Sequence, residues 1–195
     1  MALDTYSDLI ATAMDFSEDI TEDAPVARLV ELAEAELNPI LKHYRMESEV
    51  TLVSAANAVE LPANFMEARR IIIDGVLATP VSAYGASLGA NEIGYYQVGK
   101  TLKIIPEKDE PRDVKIIYFA RLDPLVEGGE ANWLLLHFSN IYLHALLVQA
   151  ARYRDNPRGE ATAQAQLDKA LALLAEDNRR ATMVANPIRF EEGWS

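Results

Sequence analysis

Gly94-Tyr95-Tyr96-Gln97-Val98-Gly99-Lys100-Thr101 matches G-x-x-x-x-G-K-[ST], the spacing of a phosphate-binding loop. Such a loop works when a buried strand leads in and a helix leads out, so that backbone N–H groups and a lysine converge on phosphate. Arg70-Ile71-Ile72-Ile73-Asp74 could supply the acid-tipped strand that holds magnesium. The flanking residues argue otherwise. SLGANEI before the match is no apolar run, and TLKIIPE after it alternates and contains Pro106, so a strand follows, not a helix. The stretch is expected to be a hairpin turning at Gly99-Lys100, and no nucleotide cofactor is expected. His137 and His144 are seven apart and would share one helical face. Without cysteine or a carboxylate set beside them they read as core or interface histidines, and no metal is expected. Glu31, Glu34 and Glu36 could do acid–base work but read as a solvated helix face. Tyr95-Tyr96 could stack on a ligand, although strand packing accounts for it more simply. No nucleophile elbow, H-E-x-x-H or EF-hand pattern occurs, so no catalytic residue is nominated and no enzymatic activity is expected.

The elements that would carry these residues follow from hydrophobic period. Asn132 to Tyr153 is the longest apolar run, and Asn132 suits an N-cap. Leu135, Phe138, Tyr142, Ala145, Leu146 and Gln149 form one face, and Leu134, Ile141, Leu147 and Val148 fill much of the rest. A helix apolar on most sides is a core helix. His137, Ser139, Asn140 and His144 interrupt it too often for a membrane span, and Trp133 reads as its core anchor. A first helix opens at Asp4 or Thr5, with Thr5 and Asp8 as a capping box and Tyr6, Leu9, Ile10, Ala13 and Met14 inward. Asp15 to Asp23 is an acidic loop. Asp23 caps a second helix with Pro25 in its first turn and Val26, Leu29, Val30, Ala33 and Leu37 inward. Pro39 predicts a kink or break, with Ile40, Leu41 and Tyr44 continuing the apolar face. Asn156-Pro157 opens a last helix to about Arg180, with Ala163, Leu167, Ala170, Leu171 and Leu174 as its stripe. Arg179 and Arg180 lie at its C-terminal end, where the helix dipole favours cations.

Between the helices the period changes to two. Val50 to Val53 reads as a strand, and Val59 with Leu61 as its short return after a turn at Asn57. Asp74-Gly75 between Ile71–Ile73 and Val76–Ala78 is a strong hairpin signal. Pro80 to Ala90 predicts at most one helical turn. Tyr95–Val98 and Thr101–Ile105 form the second hairpin. Asp113–Ala120 is a further strand with Val114, Ile116 and Tyr118 on one side. The fold class is α+β: a helical bundle of N- and C-terminal helices with an inserted antiparallel β subdomain. The expected segments are 1–46 and 122–181 for the bundle, 47–121 for the β subdomain and 182–195 for a C-terminal tail.

The formal net charge of −12 over 195 residues argues against a nucleic-acid binder. It remains compatible with a wall that DNA slides past. The absence of cysteine excludes disulfides and thiolate chemistry. No charged-then-apolar leader opens the chain, which predicts an intracellular protein with no membrane partner.

ARLVELAEAELN, LPANFMEARRIIIDG, TLKIIP and above all VKIIYFARLDPLVEGGEANWLLLHFSNIYLHALLVQAARYRDNP resemble the head–tail adaptor (connector or head-completion) proteins of short-tailed phages. The resemblance runs over most of the length. It implies a virion structural protein without catalytic activity, made in the host cytoplasm and resident at the head–tail interface. The implied partners are the portal protein, a tail or nozzle component and further copies in a ring, a dodecamer by likeness. DNA would pass through the channel without specific binding. In similar proteins the C-terminal region reaches the portal, which points to Pro187, Ile188, Phe190 and Trp194. The hairpin turns Asp74-Gly75 and Gly99-Lys100 are candidates for ring or tail contacts. The alternatives are a tail-completion or tail-interface assembly protein and, from another class, a nucleotide-binding enzyme built on Gly94–Thr101.

Overall fold

A computed structural model describes residues 3–21, 24–83, 88–89 and 91–184. The chain divides into two compact units, Met1–Arg45 with Leu122–Ser195, and Met46–Arg121. The fold is α+β.

The first unit is helical. Helix α1 (Tyr6–Phe16) starts where Thr5 Oγ1 accepts from the Asp8 N–H and donates to the Asp8 carboxylate. It buries Leu9 and Ala13, while Met14 faces solvent. Helix α2 (Val26–Ile40) has Pro25 at its cap position and not inside its first turn. The expected cap Asp23 lies outside the described residues. Pro39 does not break α2 before its end. The helix runs one residue further, because a proline this close to the C-terminus removes one ladder bond and Leu41 N–H still reaches the Leu37 carbonyl. Leu41 is buried beyond it, but Ile40, 57% exposed, and Tyr44 leave the apolar face.

Helix α3 (Trp133–Tyr153) begins at Asn132, whose side chain accepts from the Leu135 N–H. It packs against α1, α2 and α4 (Pro157–Val184), the arrangement its all-round apolar surface requires. By length and composition α3 could cross a membrane, yet 61% of that window is buried inside the fold, as in a core helix. Phe138 leaves helical geometry (φ −139°, ψ 47°) and kinks α3. His137 and His144 therefore lie on opposite sides of a break and do not share a continuous face. Helix α4 opens on Asn156, whose Oδ1 accepts from the Gly159 N–H. It extends to Val184, so Thr182–Val184, expected in the tail, are helical.

Among its described residues the second unit forms two four-stranded sheets, ordered β1-β8-β3-β4 and β2-β7-β6-β5. The strands are β1 (Glu47–Val53), β2 (Ala58–Glu60), β3 (Phe65–Ile73), β4 (Val76–Leu77), β5 (Thr79–Pro80), β6 (Gly94–Val98), β7 (Thr101–Ile105) and β8 (Asp113–Ala120). Both sheets contribute to one core, including Val59, Ile71, Ile73, Leu102, Ile104, Val114 and Ile116. Alternation explains the split in β8: Val114, Ile116 and Tyr118 face that core, and Lys115 turns away. The expected return of β2 onto β1 does not occur. Ala56 and Asn57, both at positive φ, turn the chain out of the first sheet, and β2 pairs with β7 in the second. The expected helical turn after Pro80 is also absent where the chain is described: Thr79–Pro80 is a strand, parallel to β6. The rest of that stretch includes 84–87 and 90, outside the described residues.

Candidate functional site

The phosphate-loop match is a hairpin. Its first five residues are strand β6, Val98 pairs with Thr101, and the chain continues as β7. Gly99 takes the positive φ (+59°) that the tight turn needs. No helix begins there to aim N–H groups at phosphate. Tyr95 packs onto the core, where burial raises its pKa, and Tyr96 lies opposite Lys103. Asp74 is a turn residue between β3 and β4. It stands at φ +51° before Gly75 at +78°, with Ile73 paired to Val76 across the turn. Its carboxylate accepts from Arg112 Nε at 2.8 Å and from the Asp113 N–H at 3.1 Å. The Arg112 guanidinium holds Asp74 below the ordinary carboxylate range. Arg112 is itself only 2% exposed, and it also donates to the Pro106 carbonyl.

The two hairpin turns do not come together. Asp74-Gly75 lies where β3 ends against Val114, beside Arg112 and Asp113. Gly99-Lys100 lies beside Leu61, whose N–H donates to the Lys100 carbonyl, at the end where β3 begins. They lie toward opposite ends of β7: Lys100 precedes Thr101, whereas Arg112, which binds Asp74, donates to the Pro106 carbonyl beyond Ile105. Pro187, Ile188, Phe190 and Trp194 lie outside the described residues.

In the helical unit the three histidines differ in burial, although His43 and His137 both meet Arg45. His137 is exposed and within 3.3 Å of Arg45 Nη1. His144 lines a groove of about 640 Å³ with Phe16, Leu147, Arg158, Thr162 and Gln166, and burial lowers its pKa. His43, which sequence reasoning passed over, is almost fully buried. Its ring stacks on Trp133 (5.0 Å between centroids) and meets Phe138 edge-on. Its Nδ1 accepts from the Arg45 N–H and Nε2 faces Asp177 at 3.1 Å, an arrangement that fits the neutral ring, and burial lowers its pKa. Beside it Asn178 accepts from the Tyr44 N–H and donates to the Lys42 carbonyl, so residues 42–44 are clipped to α4.

Of the three carboxylates, Glu34 departs from its reading as a solvated residue. It is 8% exposed, and its Oε1 accepts from the Tyr142 hydroxyl and the Leu125 N–H, both at 2.8 Å. Asn132 donates to the Tyr142 hydroxyl and the Asp123 carbonyl, and Asn38 accepts from the Leu122 N–H. These side chains tie the loop before α3 to α2. Burial raises the Glu34 pKa against the lowering effect of its two hydrogen bonds, and pushes Tyr142 up as well. The signal was in the sequence: position 34 falls between Val30, Ala33 and Leu37, inside the apolar stripe. Glu36 meets Arg152, which also binds Glu160.

The hydroxyl–carboxylate contact Thr5–Asp8 caps the start of α1, and Ser17–Asp19 closes the turn that follows its end, each hydroxyl also accepting a backbone N–H. Among the described residues no group of three His, Cys, Asp or Glu side chains could hold a metal ion. The described surface offers turns, an open strand edge and a groove, which are means of contact. Compared with known proteins, residues 4–189 match the family model described as SU10 adaptor protein. No curated protein matches the chain.

Proposed function

The chain belongs to the SU10 adaptor protein family, a family of phage head–tail adaptors, and from that premise we propose that it forms a ring on the portal. In this reading the ring is a dodecamer that extends the DNA exit channel and presents the platform for the tail or nozzle component. The observation that carries it is the family match over nearly the whole chain.

Charge distribution supports a channel role. Of the 30 acidic and 18 basic residues, the β unit Met46–Arg121 holds only ten and eight, so nearly all the net negative charge belongs to the helical unit. A surface of that sign repels phosphate and lets DNA pass. Hairpin turns toward opposite ends of β7 suit contacts to two different neighbours, a ring mate and a tail component. Pro187, Ile188, Phe190 and Trp194 are proposed to reach the portal, as the resemblance to other adaptors implies.

The test is to mix the chain with the portal protein encoded by the same genome. Light scattering after size exclusion gives the masses, and electron microscopy shows any added ring. A portal particle gaining one ring of this chain is the expected result. No association across a range of salt would remove the portal reading and favour a tail-interface role. A chain ending at Val184 that still binds the portal would remove the terminal contact alone.

A further inference from the structure

Strand β1 stands at an edge of its sheet. All seven of its residues pair with β8 on one side, and among the described residues no strand pairs with the other side. The direction of its free groups follows from the ladder. Ser54 N–H donates to the Arg112 carbonyl, so it points toward β8. In an antiparallel pair successive residues alternate, so Leu52, Val50 and Ser48 also turn their N–H and C=O groups to β8. Glu47, Glu49, Thr51 and Val53 turn theirs to the open edge. The other edge strands, β2, β4 and β5, have two or three residues, and a β-bulge, proline or lysine would be the usual protection of a long edge. Strand β1 has none of these, and its two charged side chains, Glu47 and Glu49, are engaged by Arg69 and Lys115 of the same sheet.

The side chains say what kind of strand would fit. On the core side Ser48, Val50 and Leu52 are only half-buried, and Val50 and Leu52 pack against the shared core. The outer side carries Glu47, Glu49, Thr51 and Val53, all exposed. Glu49 is held from one side by Lys115 at 2.7 Å and Glu47 by Arg69 at 3.1 Å. A second β1 would set acidic strand against acidic strand, and the remaining described edges are too short to match seven residues. We propose that the open edge of β1 receives an extended segment of a different protein, with apolar side chains at alternate positions beside Val50 and Leu52 and a basic side chain facing Glu49. Backbone bonds to Glu47, Glu49, Thr51 and Val53 supply the affinity, and the alternating row supplies the selection. The assembled virion particle is the setting, and to that extent the inference rests on the adaptor reading.

Hydrogen exchange read amide by amide tests it. In the dilute chain Ser48, Val50 and Leu52 are expected to exchange slowly and Glu49, Thr51 and Val53 fast. In the particle containing the chain with its portal and tail proteins, the fast set should slow at least tenfold. Fast exchange retained there overturns the proposal. Slow outer amides in the dilute chain, or on concentrating the chain alone, also overturn it, since the chain itself or its copies would then cover the edge. An octapeptide alternating valine with lysine and threonine is a probe independent of the adaptor reading. It should slow the same amides, and no slowing at millimolar peptide overturns the proposal. Thr51→Pro removes only an outward N–H, so melting should stay near the wild type while incorporation into particles falls at least tenfold; unchanged incorporation overturns the proposal. Glu49→Lys should weaken both peptide and particle binding, and equal binding overturns the assignment of a basic partner residue.

Discussion

The buried carboxylate of Glu34 is the residue on which the helical unit depends most visibly for polar order. Two donors, the Tyr142 hydroxyl and the Leu125 N–H, converge on one of its oxygens inside an apolar stripe. Desolvation outweighs those bonds, so the folded state binds this proton more tightly than the unfolded chain. The sign follows: the stabilisation linked to that proton is fully present below the unfolded pKa and is lost as pH rises through the raised folded value. Glu34→Gln keeps an oxygen for both donors and carries no charge. Its melting temperature is expected to equal or exceed that of the wild type at pH 7, with the difference shrinking toward pH 4. Glu34→Ala leaves two buried donors unpaired and should cost about 1–3 kcal/mol at any pH. Thermal melts of the three chains between pH 4 and 8 check both. A Gln variant less stable at pH 7 than the wild type would show that the ionised carboxylate is favoured there.

Among the elements, the strands and helices with regular period were legible in the sequence, and those bent by a single residue were not. The Asp74-Gly75 and Gly99-Lys100 hairpins, β8, α1, α3 and α4 follow from alternation, caps and turn residues acting locally. The pairing of β2 with β7 was hidden because two residues at positive φ redirect the chain, and Ala56 is not a type that signals it. The kink at Phe138 was hidden because an apolar run looks the same through a break. His43 was missed because a histidine in a helix-to-strand connection acquires its burial only from partners distant in sequence; Glu34 sits visibly inside the apolar stripe of α2, but its donors, Tyr142 and Leu125, are distant in sequence. The start of α4 shows how a local rule is overridden. Glycine inside a helix costs about 1 kcal/mol relative to alanine, so Gly159→Ala would ordinarily stabilise. Here a Cβ would lie 2.5 Å from Asn156 Nδ2 and 3.2 Å from Asp19 Oδ2. Asn156 both caps α4 through Gly159 and donates to Asp19. Gly159→Ala is therefore expected to lower stability by about 1 kcal/mol, the worth of a lost cap, in a denaturant melt. A gain in stability would mean that Asn156 moves aside without losing either bond.

For the whole molecule, the partition of charge sets what the proposed channel role would require of its surface. The net charge of −12 would be unremarkable if spread evenly, but the β unit is close to neutral and the helical unit holds most of the excess acid. A phosphate-binding surface needs clustered cations that release counterions from the duplex. Several of the described arginines are already committed: Arg152 to Glu36 and Glu160, Arg179 and Arg180 to Glu176, and Arg112 to Asp74. The chain is accordingly expected to leave the mobility of duplex DNA unchanged even near 50 mM salt, where electrostatic binding is strong. The carboxylates Asp15, Glu18 and Glu31 are exposed and belong to the helical unit. Replacing all three with lysine should leave the fold intact by circular dichroism while making the surface retain DNA, with retention falling steeply as salt is raised. Retention by the unaltered chain at low salt would contradict a wall that lets DNA slide past, and would turn attention to the lysines of the β unit, Lys100 and Lys103, as the contact.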